Sequence, residues 1–430
     1  MTEHLAPGPV ETPASAGQRL LWMMRHYRSE LGALSCPVLC RVRGSLEVAR
    51  LERALNALAD RHEALRTTFA GRGPRLLQRV HESMPVTARL ADFSSAEDPE
   101  QPAWQAVRQE LSDPIDVTRC SFRALVLRLS TTDHLVCFTM HHLVSDAWSC
   151  GVLFRELCAL YSGEDLPDVQ WQYRDFVSWQ WELRASGGLR RQEDYWLRQL
   201  AGAELPRLPR LAGDAARPVA IAAGQLGPSV AGRLDELAVR ERTTPFAVLL
   251  AVFYARLHVL TGQRDLVVAS LFANRLRPET RATVGFLANM VLLRTVVAPR
   301  ATFADLLRAT HRTATGALLN QELPYQMLPL RTPESDGARA DDLVFQVMPE
   351  MEYRIRCGEA ECELLVPDDI GNRFRLEFTV TPVGDGYRLV LFYSKDILDE
   401  VGARELVAGF LRVATAVAAA PDVPLEEIAG

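Results

Sequence analysis

The sequence predicts a layered α/β protein built as two halves. Three observations carry that expectation. The chain has 430 residues, enough for two cores. Its strand-like runs are apolar without alternation and are interspersed with amphipathic helices, the pattern of α/β sandwiches. Residues 201–228 are rich in Gly, Pro and Ala, with LPRLPRLAGDAARP as the densest part, and read as an extended linker. The expected organisation is a disordered lead-in at 1–14, a first half at 15–200, a linker at 201–228 and a second half at 229–430. No short-period internal repeat is present.

Element by element, Val48, Leu51, Leu55 and Leu58 recur at helical spacing between Leu46 and Arg61. Phe122 to Leu129 reads as a strand, with a turn at Ser130 to Asp133. Trp171 to Leu200 reads as helical, and its aromatic stripe as packing rather than a ligand box. Beyond the linker the spacing predicts helices around Val230–Arg242 and Pro245–Thr261. Strands follow at Asp265–Ala273, Leu343–Met348, Phe374–Val380 and Tyr387–Tyr393, and a closing helix near Glu400–Ala420.

The most informative stretch is HLVCFTMHHLVSDAWS, residues 134–149. Its apolar run reads as a buried strand ending at His141 and His142. Ser145 and Asp146 suit a helix start, because their oxygens accept from free backbone N–H groups. The apolar positions Val152, Leu153, Leu157 and Leu160 then continue at helical spacing as far as Tyr161. Adjacent side chains on a strand take opposite faces, so one histidine points toward a cleft and the other into packing. For an arbitrary His-His pair, two packed, structural rings are the first expectation. A zinc site is disfavoured: the helical i, i+4 histidine pair is missing and no Cys cluster is near in sequence.

The segment HHLVSDAWSCGVLFREL resembles the HHxxxDG core motif of the condensation domains of nonribosomal peptide synthetases. Other stretches resemble that family's motifs in its order: SAGQRLLW (Ser15 to Trp22), RHEALRTTF (Arg61 to Phe69), YRDFVSWQ (Tyr173 to Gln180), VGFLANMVLLRT (Val284 to Thr295) and NQELPYQML (Asn320 to Leu328). Two departures stand out. Ala147 occupies the motif glycine's place, which matters only if that backbone is left-handed. In ordinary helical geometry it is harmless. ARADDLVFQVM (Ala338 to Met348) fits the last motif at Phe345 to Val347 but not at Asp341 and Asp342, so acceptor or partner recognition there is expected to be unusual.

The resemblance implies two halves, each like chloramphenicol acetyltransferase, set as a V-shaped pseudo-dimer around a central tunnel, with one site per chain. It implies a condensation enzyme that joins a donor thioester to an amine or hydroxyl acceptor, forming an amide or ester. The substrates ride on phosphopantetheine arms of partner carrier proteins for the donor, and for the acceptor either a carrier or a small molecule. His142 is the group expected near the nucleophile, as base or as positioning hydrogen-bonder. His141 is expected to pack within the motif. Asp146 invites comparison with a triad orienter, but the resemblance implies a structural salt bridge with an arginine, for which FANRLRPE (Phe272 to Glu279) points to Arg275. Ser149 is expected as a capping or solvated hydroxyl, and Asn289 as an acceptor-side candidate with core packing as the plain alternative. Arg61 and Arg66 are read as structural ion pairs. Rival readings are an epimerase of the same superfamily, a carrier-independent acyltransferase and an inactive recruitment domain. Both a free-standing chain and an excised domain fit.

Composition excludes several classes. Hydrophobic residues at 48% and charged residues at 24% are ordinary for a globular protein. A net charge of −6 argues against nucleic acid, and Lys395 is the only lysine. Eight cysteines without a CxxC pair, Cys357 and Cys362 among them, read as buried thiols of a reducing cytoplasm. No apolar run reaches membrane-spanning length and no signal sequence opens the chain. No nucleotide loop, nicotinamide fingerprint or metal shell is legible, so the chain is expected to bind no cofactor itself. It is expected to act as a cytoplasmic monomer.

Overall fold

A strand that is apolar on both faces must be covered on both faces, and Asp133–His141 is such a strand: eight of its nine residues are buried. The computed structural model describes residues 8–27, 34–203, 219–328, 341–348, 353–365 and 374–428. In chain order the elements are β1 (Val10–Pro13), α1 (Ala16–Tyr27), β2 (Ser35–Arg43), α2 (Val48–Arg61), β3 (Thr67–Ala70), β4 (Leu77–Val80), β5 (Ala88–Asp92), α3 (Glu100–Ser112), β6 (Phe122–Ser130), β7 (Asp133–His141), α4 (Ala147–Ser162), α5 (Tyr173–Ala185) and α6 (Arg190–Leu200). They continue with β8 (Val219–Leu226), α7 (Pro228–Arg240), α8 (Pro245–Thr261), β9 (Asp265–Phe272), β10 (Asn289–Val296), α9 (Phe303–Leu319), β11 (Leu343–Val347), β12 (Arg354–Cys357), β13 (Ala360–Leu365), β14 (Leu376–Val383), β15 (Gly386–Ser394), α10 (Glu400–Ala419) and α11 (Leu425–Ile428).

Contacts divide the chain into two compact units, and neither is continuous. The first holds residues 1–188, 273–288 and 351–371; the second holds the remainder. No single boundary separates them, because two excursions from the C-terminal part pack with the N-terminal part. The first unit has a six-stranded sheet ordered β12-β13-β2-β7-β6-β5 and a small sheet β1-β4-β3. In the larger sheet β7 lies between antiparallel β2 and β6. On one face Val136, Phe138 and Met140 join the large core under α2 and α4. On the other, Leu135 and Cys137 pack with Ala103 and Val107 of α3. Each face therefore has its own apolar layer.

The second unit has a six-stranded mixed sheet ordered β10-β9-β11-β14-β15-β8. Phe253 of α8 stacks on Phe345 of β11 at 5.0 Å, and Phe378 of β14 meets Phe410 of α10 at 4.9 Å. Helices α9 and α10 flank α8. The α8 helix is buried on nearly every side from Ala247 to Leu257, which explains its unbroken apolar sequence.

Three sequence expectations are corrected. Within 1–14, Val10–Pro13 is a strand: Val10 pairs with Val80, and Ala14 is fully buried. Its polar composition suits an edge strand as well as a disordered lead. Residues 1–7 lie outside the described set. Within the expected linker, Val219–Leu226 is an edge strand paired with β15. Its small residues serve close packing, since a Cβ at Gly224 would stand 2.7 Å from Val407 of α10. Residues 204–218 lie outside the described set. The helical run 171–200 is two helices, broken at Gly187 with φ 75°.

Candidate active site

His141 closes β7, paired with Ser35, and His142 continues the line by donating its N–H to Leu34 O at 2.8 Å. His141 is buried, and its Nδ1 accepts from the Leu143 N–H at 3.0 Å. That bond is internal to the turn and fixes its tautomer with the proton on Nε2. His142 is half-buried and has the reverse arrangement. Its Nδ1 lies 3.2 Å from Ser145 O. A carbonyl can only accept, so Nδ1 carries the proton and Nε2 is the acceptor of the neutral ring. Phe286 meets the ring edge-on at 6.4 Å.

The turn then starts α4, and Asp146 is its N-cap, accepting from Ser149 N at 2.8 Å. Its carboxylate is buried and saturated. Oδ1 also accepts from Ser149 Oγ at 2.7 Å and Arg275 Nη2 at 2.9 Å. Oδ2 accepts from the N–H groups of Leu287 and Ala288, both at 3.1 Å. A carboxylate so occupied holds chain segments together; neither oxygen is directed at an imidazole. The expectation of a structural salt bridge with Arg275 is met in the geometry, and the triad-like arrangement is absent from it.

Arg275 gives its other amino group to Thr280 O at 2.7 Å and Thr283 O at 2.6 Å. The Trp148 ring lies 5.8 Å from the guanidinium carbon. The preceding Asn274 is left-handed at φ 55°, which turns the chain to present the arginine. The Ser149 hydroxyl is fully buried rather than solvated: it accepts from Arg275 at 2.9 Å and Gly285 N at 3.1 Å. Ala147 is the first helical residue and is exposed, and among the described residues only Arg242, Asn274 and Arg300 are non-glycines of positive φ. Ala147 therefore carries no left-handed strain.

Asn289 stands apart, at the start of β10 in the second unit. Its Nδ2 donates to Gln321 O at 2.8 Å and Leu323 O at 2.7 Å, and its Oδ1 accepts from Tyr325 N at 3.2 Å. The buried amide is spent on the backbone of the 320–328 motif, so the acceptor-side expectation gives way to the packing one. Arg61 and Arg66 are ion-paired, Arg61 with Glu156 at 2.9 Å and Arg66 with Glu63 at 3.8 Å, as expected.

Several supporting residues lay outside the sequence argument. Tyr173 Oη donates to Phe286 O at 2.9 Å and meets Ser15 Oγ at 2.9 Å; burial pushes its phenol well up. Gln18 is fully buried and donates to Leu143 O at 2.9 Å, beneath the histidine turn. Gly285 is required, because any Cβ there would sit 2.0 Å from Tyr173. Cys36 and Cys150 bring their sulfurs to 3.2 Å beside this turn. The hydrogen bond from Cys150, with a lesser influence from His142, holds the Cys36 thiol well below the usual range despite its burial. The opening and fourth motifs, SAGQRLLW and YRDFVSWQ, were the signals that could have placed Ser15, Gln18 and Tyr173 here.

The family model described as the condensation domain matches residues 10–429. The chain belongs to the condensation domain family. It is 32% identical over 98% of its length to cyclosporin synthetase simA of Tolypocladium inflatum, and 33% identical over 94% to the beauvericin nonribosomal cyclodepsipeptide synthetase of Beauveria bassiana. It spans only 3% and 13% of those relatives. It is a condensation domain of the nonribosomal peptide synthetase type. Its fold is that of solved condensation domains. The domain from the monacolin K polyketide synthase MokA superposes with a TM-score of 0.85 at 22% identity, covering 98% of this chain and 100% of that one. The teicoplanin X-domain, solved in complex with OxyB, superposes at 0.80 with 23% identity, covering 98% and 96%. Among the described residues of this condensation domain, no single helix is long and apolar enough to cross a membrane.

Proposed function

We propose that the chain is an active acyltransferase that condenses a carrier-bound thioester donor with an amine or hydroxyl acceptor. The observation that carries this reading is the tautomer of His142. Ser145 O holds the Nδ1 proton, and the acceptor nitrogen Nε2 belongs to a half-buried ring at the end of a rigid strand. In the proposed reaction the acceptor nitrogen or oxygen attacks the donor carbonyl carbon while Nε2 takes its proton or holds it by a hydrogen bond. The new C–N or C–O bond forms as the C–S bond breaks. The proton passes to the departing phosphopantetheine thiolate, and the carrier is left with a free thiol. His141 and Asp146 act on the turn rather than on substrate. Both reactants are tethered or bound, so orientation supplies much of the rate. One relative is named for a cyclodepsipeptide, a product class containing ester as well as amide bonds, so alcohols belong beside amines as acceptors.

A second reading, a recruitment domain, is favoured by the likeness in fold to a domain solved in complex with another protein. The test is mass spectrometry of products from carrier-loaded aminoacyl and aryl donors, with amine and alcohol acceptors offered free and carrier-bound. New amide or ester with wild type, lost in His142→Ala, supports condensation and reveals the acceptor. No product from any pair, with carrier binding intact in both proteins, favours recruitment.

A further inference from the structure

Six of the eight cysteines line one apolar layer between the large sheet of the first unit and α4. Three of them converge. Cys158 comes from α4, Cys357 from the end of β12 and Cys362 from β13, and their sulfurs all lie within 4.8 Å of one another. All three are buried, at 2%, 4% and 2% exposure. Apolar packing alone does not require three polarisable sulfurs to meet at one point. The place is also anchored without them: Gly358 N, in the turn between β12 and β13, donates to Ser162 Oγ at the end of α4 at 2.9 Å.

We propose that Cys158, Cys357 and Cys362 form a trithiolate site for a soft divalent cation of the zinc type, which pins the β12–β13 hairpin to α4. Zinc–thiolate bonds of about 2.3 Å in tetrahedral geometry put sulfurs about 3.8 Å apart, so the observed triangle closes by at most about 1 Å. Thiolates select soft cations over Mg2+ or Ca2+. Three thiolates and a divalent cation leave one negative charge. Arg50, whose guanidinium lies 4.9 Å over the Tyr161 ring and whose charge acts on Cys357, offsets it. Cys40 is the nearest further sulfur by register. Its neighbour on the same strand face, Val42, pairs with Cys362, but Cys40 lies outside the cluster and donates from its Sγ to Val136 O at 3.6 Å, so the three converging thiols are the ligand set. The site lies along the helix whose first turn is capped by Asp146, so the cation would fix that helix against the sheet it covers.

The test is metal analysis of the whole chain purified without chelators, followed by Co2+ titration of reduced, metal-free protein under nitrogen. The expected result is about one zinc per chain, and Co2+ bound with an intense sulfur-to-metal charge-transfer band. That band should be lost in Cys362→Ser and kept in Cys120→Ser. The wild-type measurements stand even if Cys362→Ser fails to fold. Metal-free protein whose reduced form gives no charge-transfer band with Co2+ would overturn the proposal, and so would a Cys357–Cys362 disulfide in the native protein.

Discussion

Arg275 Nη2 lies 2.9 Å from Asp146 Oδ1, and the two side chains are only 2% and 4% exposed although 129 positions separate them in the chain. The pair joins the cap of α4 to the 273–288 excursion. Both partners are hydrogen-bonded elsewhere as well, which is the condition under which a buried ion pair is tolerated. Removing one side leaves an uncompensated charge. Asp146→Ala is expected to lose about 3–5 kcal/mol of stability. Urea unfolding monitored by circular dichroism measures this, and Asp146→Ala combined with Arg275→Met should cost less than the two single losses added.

His142 bears the opposite expectation. Its ring is half-buried and makes one turn-internal hydrogen bond, to Ser145 O. His142→Ala should lower the turnover number about 10²–10⁴-fold and shift the melting midpoint by little. Steady-state kinetics with a loaded donor, beside a thermal melt of the same preparation, separates the two effects.

Gly285→Ala should destabilise strongly. The added methyl would overlap the Tyr173 ring at 2.0 Å, and that ring is buried and held through its Oη by Phe286 O and Ser15 Oγ. Overpacking of this kind costs about 1–3 kcal/mol or more. A thermal melt of Gly285→Ala, with Gly232→Ala as the comparison in open space, checks it.

Ala147→Gly restores the residue usual in the motif. Because Ala147 is helical and exposed, the change should not raise activity and should cost at most about 1 kcal/mol. A clear gain in turnover would mean that the backbone there becomes left-handed during the reaction.

Acid stability should depend on Glu156. Burial raises its carboxyl, but His62, at 2.6 Å, and Arg61 outweigh burial and set it below its usual 4.5. A carboxyl depressed in the folded state contributes stability that is complete above its unfolded pKa and is lost as pH falls through the folded one. Stability should therefore decline below about pH 4.5, and the decline should be shallower in Glu156→Gln. Urea midpoints across that window measure it.

Local pattern carried much of this site into view. The strand of residues 133–141, the cap at Asp146 and the helix to Tyr161 follow from apolar periodicity and cap chemistry. Arg275 was placed by its motif neighbourhood, and its contact to Asp146 by the resemblance. What escaped was set by non-local partners. The backbone groups that consume the Asn289 amide come from residues 321, 323 and 325, and nothing near Asn289 announces them. The strand Val219–Leu226 was hidden because its alanines and glycine, needed against α10, look like linker composition. The sulfur cluster was half visible in the Cys357–Cys362 spacing, but Cys158 joins it only through the pairing of β13 with β2 under α4.

In the proposed reaction the two motif groups have separate duties, His142 in the chemistry and Asp146 in the fold. The most direct measurement is single-turnover condensation of a carrier-loaded donor by wild type, His142→Ala and Asp146→Asn, with melting midpoints of the same preparations. His142→Ala is expected to lose the reaction and keep its midpoint, while Asp146→Asn melts earlier and keeps turnover in whatever fraction remains folded. A His142→Ala protein that condenses at the wild-type rate would contradict that division of duties.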